Sequence, residues 1–464
     1  MNHDIITLGG TTRALDATAI EAFRSRMRGP VLTAADGSYD AARRTWNAMI
    51  DKRPALIARC TGAADVIEAV RFASANEALI SVRGGGHNVA GTSVCDGGLM
   101  IDLSPMKGIH VDPAARTAWA QPGLLWQDFD HETASFGLAT TGGVVGETGI
   151  AGLTLGGGVG WLVRKYGLAC DNLLAVDIVT ADGQLRRATT DRNRDLFWAL
   201  RGGGGNFGVV TAFQYQLHPV STVLAGLVIH PRSAARDLIR FHRDFITDAP
   251  EELTSYVGML TAPDGQRVVA LASCYCGDLA EGERVLQPMR AWGTPLADDM
   301  KPMPYTAMQG VFGPAFPWGN RNYWKSSFLR ALPDDAVDAL VERVDRCTSP
   351  LSATVLEYYR GAASRIADDA TAFPHRHAGF NLVVLGQWNE PKEDSVHIAW
   401  TRDCWDAVRP WSSGAVYLNA LGGDEGPNAV REAFGANYAR LATVKAQVDP
   451  KNLFRLNQNI VPTA

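Results

Sequence analysis

The sequence has no long apolar run and no excess of positive charge. It contains no stretch of about 18 apolar residues, the length that a membrane-spanning helix needs. Its N-terminal stretch has no basic start followed by an apolar segment. The formal net charge of −5 argues against nucleic acid or an anionic membrane as the main partner. We therefore expect a cytoplasmic protein with no signal peptide, no nucleic-acid partner and no membrane partner.

Paired cysteines and metal-binding spacings are also missing. Of the 7 cysteines, only Cys274 and Cys276 lie close together, and a C-x-C spacing is poor for zinc binding or redox chemistry. The odd, unpaired set suits a reducing compartment, and we expect no metal site. A chain of 464 residues is long enough to bury a core without disulfides or metals.

Glycine, by contrast, is abundant and clustered. The chain has 47 glycines, a tenth of its residues, compared with about 7% in ordinary proteins. Most of the excess falls in segments 84–86, 152–160 and 202–208. Successive glycines let the backbone adopt positive φ and direct several N–H groups at one point, so a loop can hold a phosphate without a basic side chain. Turns that merely join strands are the alternative, but three clusters favour a large phosphorylated ligand.

The first cluster directly follows a predicted strand–helix–strand unit. Residues 55–60 read as a strand, a helix follows Thr61, and residues 78–82 read as the next strand. The residues after the glycines, 89–93, do not start a helix, and no G-K-[ST] string is present, so a Rossmann or P-loop site is not predicted. FAD fits this pattern better than ATP or NAD.

A histidine, His87, lies inside this cluster. It could be an ordinary loop histidine that bonds to the backbone. It could also be a nucleophile, because a neutral imidazole can attack the 8α-methyl carbon of an oxidised flavin and form a covalent link. Composition does not distinguish these two roles.

The composition and the apolar pattern of the chain change near residue 221. The glycine clusters stop, and alternating apolar segments separated by helices predict a second domain of α+β type. This part contains an aromatic-dense stretch at 305–328, and residues 428–448 of the tail read as one helix.

Five ordered motif regions resemble the FAD-linked oxidases related to berberine bridge enzyme, within the vanillyl-alcohol oxidase superfamily. The resemblance covers essentially the whole chain. The matching strings are RGGGHNVAG at 83–91, DGGLMIDLSPMKGIHVD at 96–112, TGIAGLTLGGGVGWLVRKYGLACDN at 148–172, DLFWALRGGGGNFGVVT at 195–211, and YLNALGG with NYARLATVKAQVDPKNLFRLNQNI in the tail at 417–460.

The resemblance implies an α+β, two-domain FAD-binding fold of the vanillyl-alcohol oxidase (PCMH) type with an inserted antiparallel-sheet substrate domain. Residues 1–220 would form the FAD-binding domain, 221–414 the substrate-binding domain, and 415–464 a segment that completes the FAD domain. His87 matches the histidine that carries the covalent FAD. The cofactor-binding residues implied are Arg83, Gly84, Gly85, Gly86, His87, Asn88, Gly91, Gly146, Thr148, Gly149, Gly152, Gly157, Gly158, Gly208, Val210, Tyr417, Asn419 and Asn457.

The sequence departs from the family pattern at two positions. Many relatives carry a second covalent link through a cysteine, but Val145 stands at that position and Cys170 lies well past it, so we expect a single link through His87. Plant relatives place a catalytic tyrosine where this chain has Ala420. The catalytic base must then come from elsewhere or not be needed; the catalytic candidates are Tyr417, Lys325, His375 and Glu357.

The resemblance implies an FAD-dependent oxidoreductase. Its expected reaction passes hydride from a small-molecule alcohol, amine or sugar-like substrate to covalently bound FAD and then electrons to dioxygen, giving hydrogen peroxide. A dehydrogenase with another electron acceptor, or a metabolite- or drug-binding protein on the same scaffold, are the alternatives. The expected partners are therefore the substrate and dioxygen, and the sequence leaves the oligomeric state open.

Overall fold

The computed structural model describes residues 3–463, which form five β-sheets and fifteen α-helices. The strands are β1 (His3–Ile6), β2 (Thr12–Leu15), β3 (Val31–Leu32), β4 (Leu56–Arg59), β5 (Ile80–Arg83), β6 (Leu99–Asp102), β7 (Ile109–Asp112), β8 (Thr117–Ala120), β9 (Leu138–Ala139), β10 (Leu173–Val179), β11 (Leu185–Thr189), β12 (Val209–Gln216), β13 (His218–Pro219), β14 (Thr222–Pro231), β15 (Leu253–Thr261), β16 (Arg267–Tyr275), β17 (Ala297–Asp298), β18 (Lys301–Pro304), β19 (Arg321–Leu329), β20 (Ala353–Tyr358) and β21 (Phe380–Trp388). The helices are α1 (Ala17–Arg26), α2 (Tyr39–Arg43), α3 (Ala63–Ala75), α4 (Trp126–Ala134), α5 (Ile150–Leu155), α6 (Val163–Tyr166), α7 (Arg194–Leu200), α8 (Ala235–Asp248), α9 (Leu279–Arg290), α10 (Tyr305–Gly310), α11 (Asp334–Val344), α12 (Ala362–Arg365), α13 (Asp394–Ala407), α14 (Pro427–Phe434) and α15 (Tyr438–Val448).

A four-stranded sheet near the N-terminus positions the first glycine cluster. Its strand order is β3-β4-β6-β5, and β6 pairs in parallel with both β4 and β5. Helix α3 connects β4 to β5 and packs Val66, Val70 and Ala73 into the core below the sheet. The predicted strand–helix–strand unit is therefore present. The glycine loop leaves the sheet at Arg83, the last residue of a parallel strand.

A five-stranded antiparallel sheet, in the order β11-β10-β12-β8-β7, forms the second part of the N-terminal half. Its core includes Phe213 of β12 and Phe197 of α7. The same core contains Leu441 and Val444 of α15 and Ile460 near the end of the chain. Helix α15 and the end of the chain thus share a core with the N-terminal half.

Residues 222–388 supply an eight-stranded antiparallel sheet in the order β17-β14-β16-β15-β20-β21-β19, with β18 beside β14. Helices α8, α9, α11 and α13 contribute to the core on one face of this sheet. A different apolar cluster joins the sheet to the N-terminal half, since it contains Ala272 of β16 together with Trp161 and Tyr417. The α+β architecture and the antiparallel second sheet agree with the sequence prediction.

The tail differs in detail from the prediction. The single helix expected over 428–448 is two helices, α14 and α15, separated at Gly435, whose φ of 51° ends α14. Throughout residues 3–463, no helix is long and apolar enough to cross a bilayer.

Candidate active site and cofactor cleft

A cavity of about 530 Å³ lies between the glycine loops, the tail and the eight-stranded sheet. Its volume falls in the range of cofactor and small-molecule sites, about 300–1,000 Å³. Many of the residues predicted to bind FAD lie together on its wall. They are Gly84, Gly85, Gly86, His87, Asn88, Thr148, Gly149, Gly152, Gly208, Val210, Tyr417, Asn419 and Asn457.

Five further predicted cofactor residues lie beside this wall rather than on it. The Arg83 guanidinium donates to the Ala42 carbonyl oxygen, and its Nε has no partner among the described residues. The other four are glycines in close packing contacts: Gly91 against Ile50, Gly146 against Gln127, Gly157 against Phe373, and Gly158 against Ala169 and Leu153.

Two glycine loops meet at the cavity. A Cβ atom on Gly85 would lie 2.6 Å from both N and Cα of Gly149, and one on Gly149 would lie 2.5 Å from N of Gly85. Gly86 adopts a φ of 72°, which strains any residue with a side chain. These contacts explain why glycine is needed in both loops, and they leave a wall made mainly of backbone. A backbone wall of this kind suits a diphosphate group.

His87 lies on this wall as a neutral imidazole. Its ring stacks on the Trp46 ring with centroids 4.2 Å apart and planes 17° apart. Burial lowers the pKa of His87 to about 4. Its Nε2 atom is buried and has no hydrogen-bond partner among residues 3–463. A buried ring nitrogen without a partner needs an explanation, and attachment to a flavin would provide one. The residues therefore fit FAD.

Tyr417 enters the cavity from the tail. Its phenol oxygen accepts hydrogen bonds from the Gly158 N–H, at 3.2 Å, and from Asn419 Nδ2, at 2.9 Å. Since both bonds use the oxygen as acceptor, the phenol hydrogen stays available to a ligand. Burial raises the pKa of Tyr417, so the phenol is protonated at neutral pH.

Glu357 enters from the opposite side, on β20. It pairs across the sheet with Tyr256 of β15, and its Oε2 accepts a hydrogen bond of 2.8 Å from Asn381 Nδ2. Burial raises the pKa of Glu357 to about 7. A carboxyl group that changes protonation near neutral pH suits general acid–base chemistry.

The other two candidate bases lie outside the cavity wall. Lys325 Nζ donates to Glu425 Oε1 at 2.8 Å and lies 3.5 Å from Asp424 Oδ1. His375 Nε2 lies 3.0 Å from the Glu432 carbonyl oxygen. Of the four candidates, the structure brings only Glu357 and Tyr417 to the cavity.

Several residues on or behind the wall were not predicted from the sequence. Trp46 stacks on His87, and its indole N–H donates to the Phe316 carbonyl oxygen at 2.9 Å. Tyr256 lines the cavity. No local motif marks these positions, because each becomes part of the site only when distant segments pack together.

Cysteines and metal ligands do not contribute to this wall. Val145 lines the cavity, whereas Cys170 is buried outside it, and no cysteine of the described chain is among the lining residues. Within residues 3–463, no cluster of three or more histidine, cysteine or acidic side chains could hold a metal ion.

Comparison with known proteins identifies the family. The family model for an FAD binding domain matches residues 54–189, and the berberine and berberine-like model matches residues 416–461. The (R)-6-hydroxynicotine oxidase of Paenarthrobacter nicotinovorans is 32% identical over 457 residues, which cover 94% of this chain and 97% of that protein. An FAD-linked oxidoreductase of Dictyostelium discoideum is 30% identical, covering 90% of this chain and 91% of its own length. The chain belongs to the berberine bridge enzyme-like family of FAD-linked oxidoreductases.

A solved structure of a relative supports the same fold. The crystal structure of 6-hydroxy-D-nicotine oxidase from Arthrobacter nicotinovorans superposes with a TM-score of 0.85 at 31% identity, covering 94% of this chain and 98% of that one. The PCMH-type FAD-binding fold expected from the sequence is therefore confirmed. As a member of this family, the protein is an FAD-binding oxidoreductase.

Proposed function

We propose that the protein oxidises a small-molecule alcohol or amine and carries one FAD, attached through His87 alone. The observation that carries this proposal is a single cavity with the free, buried nitrogen of His87 on one wall and the Glu357 carboxyl group on the other. When bound, FAD accepts a hydride from the substrate and passes electrons on. Val145 lines the cavity, so no thiol is available there for a second link.

We assign cofactor binding and substrate binding to different parts of the chain, which form different walls of the cavity. Residues 1–220 and 415–464 hold the cofactor, and residues 221–414 hold the substrate. This division is supported by the core that α15 shares with the five-stranded sheet and by the sheet that starts at Thr222. Within the cofactor unit, residues 83–87 would surround the diphosphate, residues 208–210 the adenine side, and Tyr417, Asn419 and Asn457 the isoalloxazine ring.

Glu357 is the proposed base for the substrate O–H or N–H. Its ionised form can accept this proton, and the bond from Asn381 fixes the orientation of the carboxylate. Tyr417 is the proposed orienting group, because its phenol hydrogen is free to bond to the substrate oxygen or nitrogen. The Gly158 N–H and the Asn419 amide hold that phenol in place. These two residues replace the tyrosine that the chain lacks at Ala420.

Dioxygen is the proposed electron acceptor, which makes the protein an oxidase and hydrogen peroxide its second product. This choice is supported by the name of the relative that is 32% identical, an oxidase. The small side chain of Thr148, on the cavity wall, is also compatible with oxygen reaching the flavin.

Acid denaturation of the purified protein tests the covalent link. We expect yellow colour and flavin fluorescence to stay with the denatured chain, and to be released by acid in a His87→Ala variant. His110→Ala, a change at an exposed histidine outside the cavity, should keep the flavin attached. Flavin that washes out of the unmodified protein would disprove the link.

Reoxidation of the reduced flavin tests the identity of the electron acceptor. After anaerobic photoreduction of the bound flavin, we expect air to restore the oxidised spectrum within seconds and to yield one hydrogen peroxide per flavin. Reoxidation that proceeds only with a quinone or another artificial acceptor would instead identify a dehydrogenase.

A further inference from the structure

The face of the eight-stranded sheet that lines the cavity changes from polar to apolar along its strands. In the row nearest Tyr417, Tyr256 is flanked across the sheet by Ala272 and Glu357. Two residues further along the strands, the next row is apolar across five strands and ends at Ser326 of β19, which does not line the cavity. Its apolar members, in order across the sheet, are Ile229, Ala270, Gly258, Val355 and Val383.

The third row continues the same pattern towards the outside. Leu260 pairs with Val268, and Ala353 pairs with Leu385. The nine residues named in these two rows line the cavity and carry no side-chain nitrogen or oxygen atom. Trp324 of β19 pairs with Leu385, extends the third row and adds one indole N–H. A ligand hydroxyl group placed over the apolar side chains would lose its bonds to water and gain none from them.

The apolar channel is long and opens at one end. Residues 256, 258, 260 and 262 alternate along β15 and its end towards the cavity, which gives a length of about 20 Å at about 3.3 Å per residue. The lining ends at Pro263, which is exposed in the β15–β16 hairpin. Small residues at 258, 270 and 353 leave room for a ligand between the sheet and the opposite wall.

An aromatic wall borders this channel. Phe312, Phe316 and Trp324 line the same cavity, and the Phe316 and Trp324 rings contact each other edge to face with centroids 6.0 Å apart. Flat aromatic side chains beside aliphatic ones can contact the face of a flat, apolar molecule.

We infer that the substrate is an elongated, largely apolar molecule of the fused-ring aromatic class, which places a single oxidisable hydroxyl or amine group between Glu357 and Tyr417 and extends its rings along β15 towards Pro263. This inference rests on the proposed function and excludes sugars from the substrates considered. The apolar rows, the length of the channel and the aromatic wall each support it.

A series of probes that differ only in ring number provides the test. Benzyl alcohol, 2-naphthalenemethanol and 2-anthracenemethanol share one primary alcohol, and cellobiose is the sugar probe. Binding to the flavin-loaded protein is measured by titration calorimetry, and flavin reduction is followed by absorbance without oxygen. We expect the dissociation constant to fall by about fivefold with each added ring, and cellobiose neither to bind nor to reduce the flavin.

Gly258→Phe is the blocking variant. A Cβ atom at Gly258 would meet its nearest neighbours at 3.8–4.0 Å, an ordinary contact distance, so the new side chain can be accommodated and would occupy the channel. We expect a loss of at least about tenfold in affinity for 2-anthracenemethanol and little change for benzyl alcohol. The matched control is Gly37→Phe at an exposed glycine that has no atoms within 4 Å of the added Cβ.

The outcomes separate this inference from the proposed function. Flavin reduction by cellobiose, equal affinity for all three alcohols, or tight 2-anthracenemethanol binding to Gly258→Phe would each overturn the inference and leave the oxidoreductase intact. Loss of flavin from the unmodified protein on acid denaturation would overturn the covalent link instead. The three alcohols are compared on the unmodified protein, so this part of the test does not depend on whether any variant folds.

Discussion

The Glu357 carboxyl group lies in an environment that conflicts with stability. It is placed among Tyr256, Tyr417 and Asn381 with a pKa raised to about 7, and burial is the main cause of that shift. Below its ordinary value of 4.5, the group is neutral in both the folded and the unfolded protein. Between pH 4.5 and about 7 the unfolded state ionises first, so folding is progressively penalised by up to about 3 kcal/mol.

We predict that Glu357→Gln stabilises the protein and slows its reaction. The variant should melt at a higher temperature than the unmodified protein at pH 8.5, and this difference should shrink at pH 5, because the glutamate is then neutral. The rate of flavin reduction by substrate should rise with pH through about 7 in the unmodified protein and be low and flat in the variant. A variant that retains the pH-dependent rise would show that another group is the base.

Single residues of the site differ in how far the sequence indicates their positions. The position of His87 and its neighbouring glycines on the cavity wall was predictable from the glycine cluster and the family motif that contains them. Glu357 was only one of four candidate bases, and its burial decides what it can do. Trp46 had no local signal, since its contact with His87 depends on two segments that approach each other only in the folded chain.

Strand β19 shows how one element serves two purposes. Side chains alternate along a strand, so Trp324 lines the cavity while Lys325 contacts the segment that follows Ala420. There, Asp424 accepts hydrogen bonds of 2.7 Å from the Tyr323 hydroxyl and 2.7 Å from Arg402, and Glu425 accepts one from Lys325. This ionic cluster holds residues 421–426 against the sheet.

We predict that Lys325→Met affects stability and not the acid–base chemistry. The Lys325 side chain is 8% exposed and Glu425 is 11% exposed, so removal of one partner should cost about 3–5 kcal/mol of unfolding free energy. Chemical denaturation measures this loss, and the exposed Lys392→Met should show none.

The double variant Lys325→Met/Glu425→Gln should recover part of the stability, because no unpaired charge remains. The pH dependence of flavin reduction should be unchanged in both variants. A lost or displaced pH profile in Lys325→Met would restore lysine as a candidate base.

Whole elements were predicted where the apolar pattern was regular. The β4–α3–β5 unit and the long strands β14, β16 and β21 have clear periodicity. The break between α14 and α15 was missed because it depends on the positive φ of Gly435, and the glycine sits in a sequence that is otherwise compatible with a continuous helix.

At the scale of the molecule, the tail connects to the third glycine cluster through a buried lysine. Lys445 of α15 is fully buried, and its Nζ donates to the Asn206 carbonyl oxygen at 2.6 Å and to the Phe454 carbonyl oxygen at 2.9 Å. Asp449, also fully buried, pairs with Lys445 at 2.8 Å. These bonds bring the loop around Asn206 and the segment ending at Asn457 to the same side of the cavity.

We predict that Lys445→Met lowers the unfolding free energy by about 3–5 kcal/mol, since Asp449 would remain as an unpaired buried charge. The variant should also contain less flavin per chain, measured by the ratio of absorbance at 450 and 280 nm, because both wall segments lose a fixed position. Lys451→Met, at an exposed lysine nearby, is the control. Full flavin content in a destabilised Lys445→Met would show that the tail is not needed to hold the cofactor.

The overall organisation was largely accessible from the sequence through the composition change near residue 221 and the ordered motifs. The apolar channel could not be predicted from the sequence, because it is formed by alternate residues of strands that are far apart in the chain. The domain limits at 220 and 414 remain predictions. They lie close to the start of β14 at Thr222 and to the segment that carries Tyr417.

The return of residues 438–460 to the N-terminal half also has a consequence for biosynthesis. A ribosome delivers the loops around His87 and Asn206 long before it delivers Phe454 and Asn457. The cleft is therefore incomplete while the inserted sheet is being translated. The proposed attachment of flavin to the imidazole would therefore follow translation of the final helix.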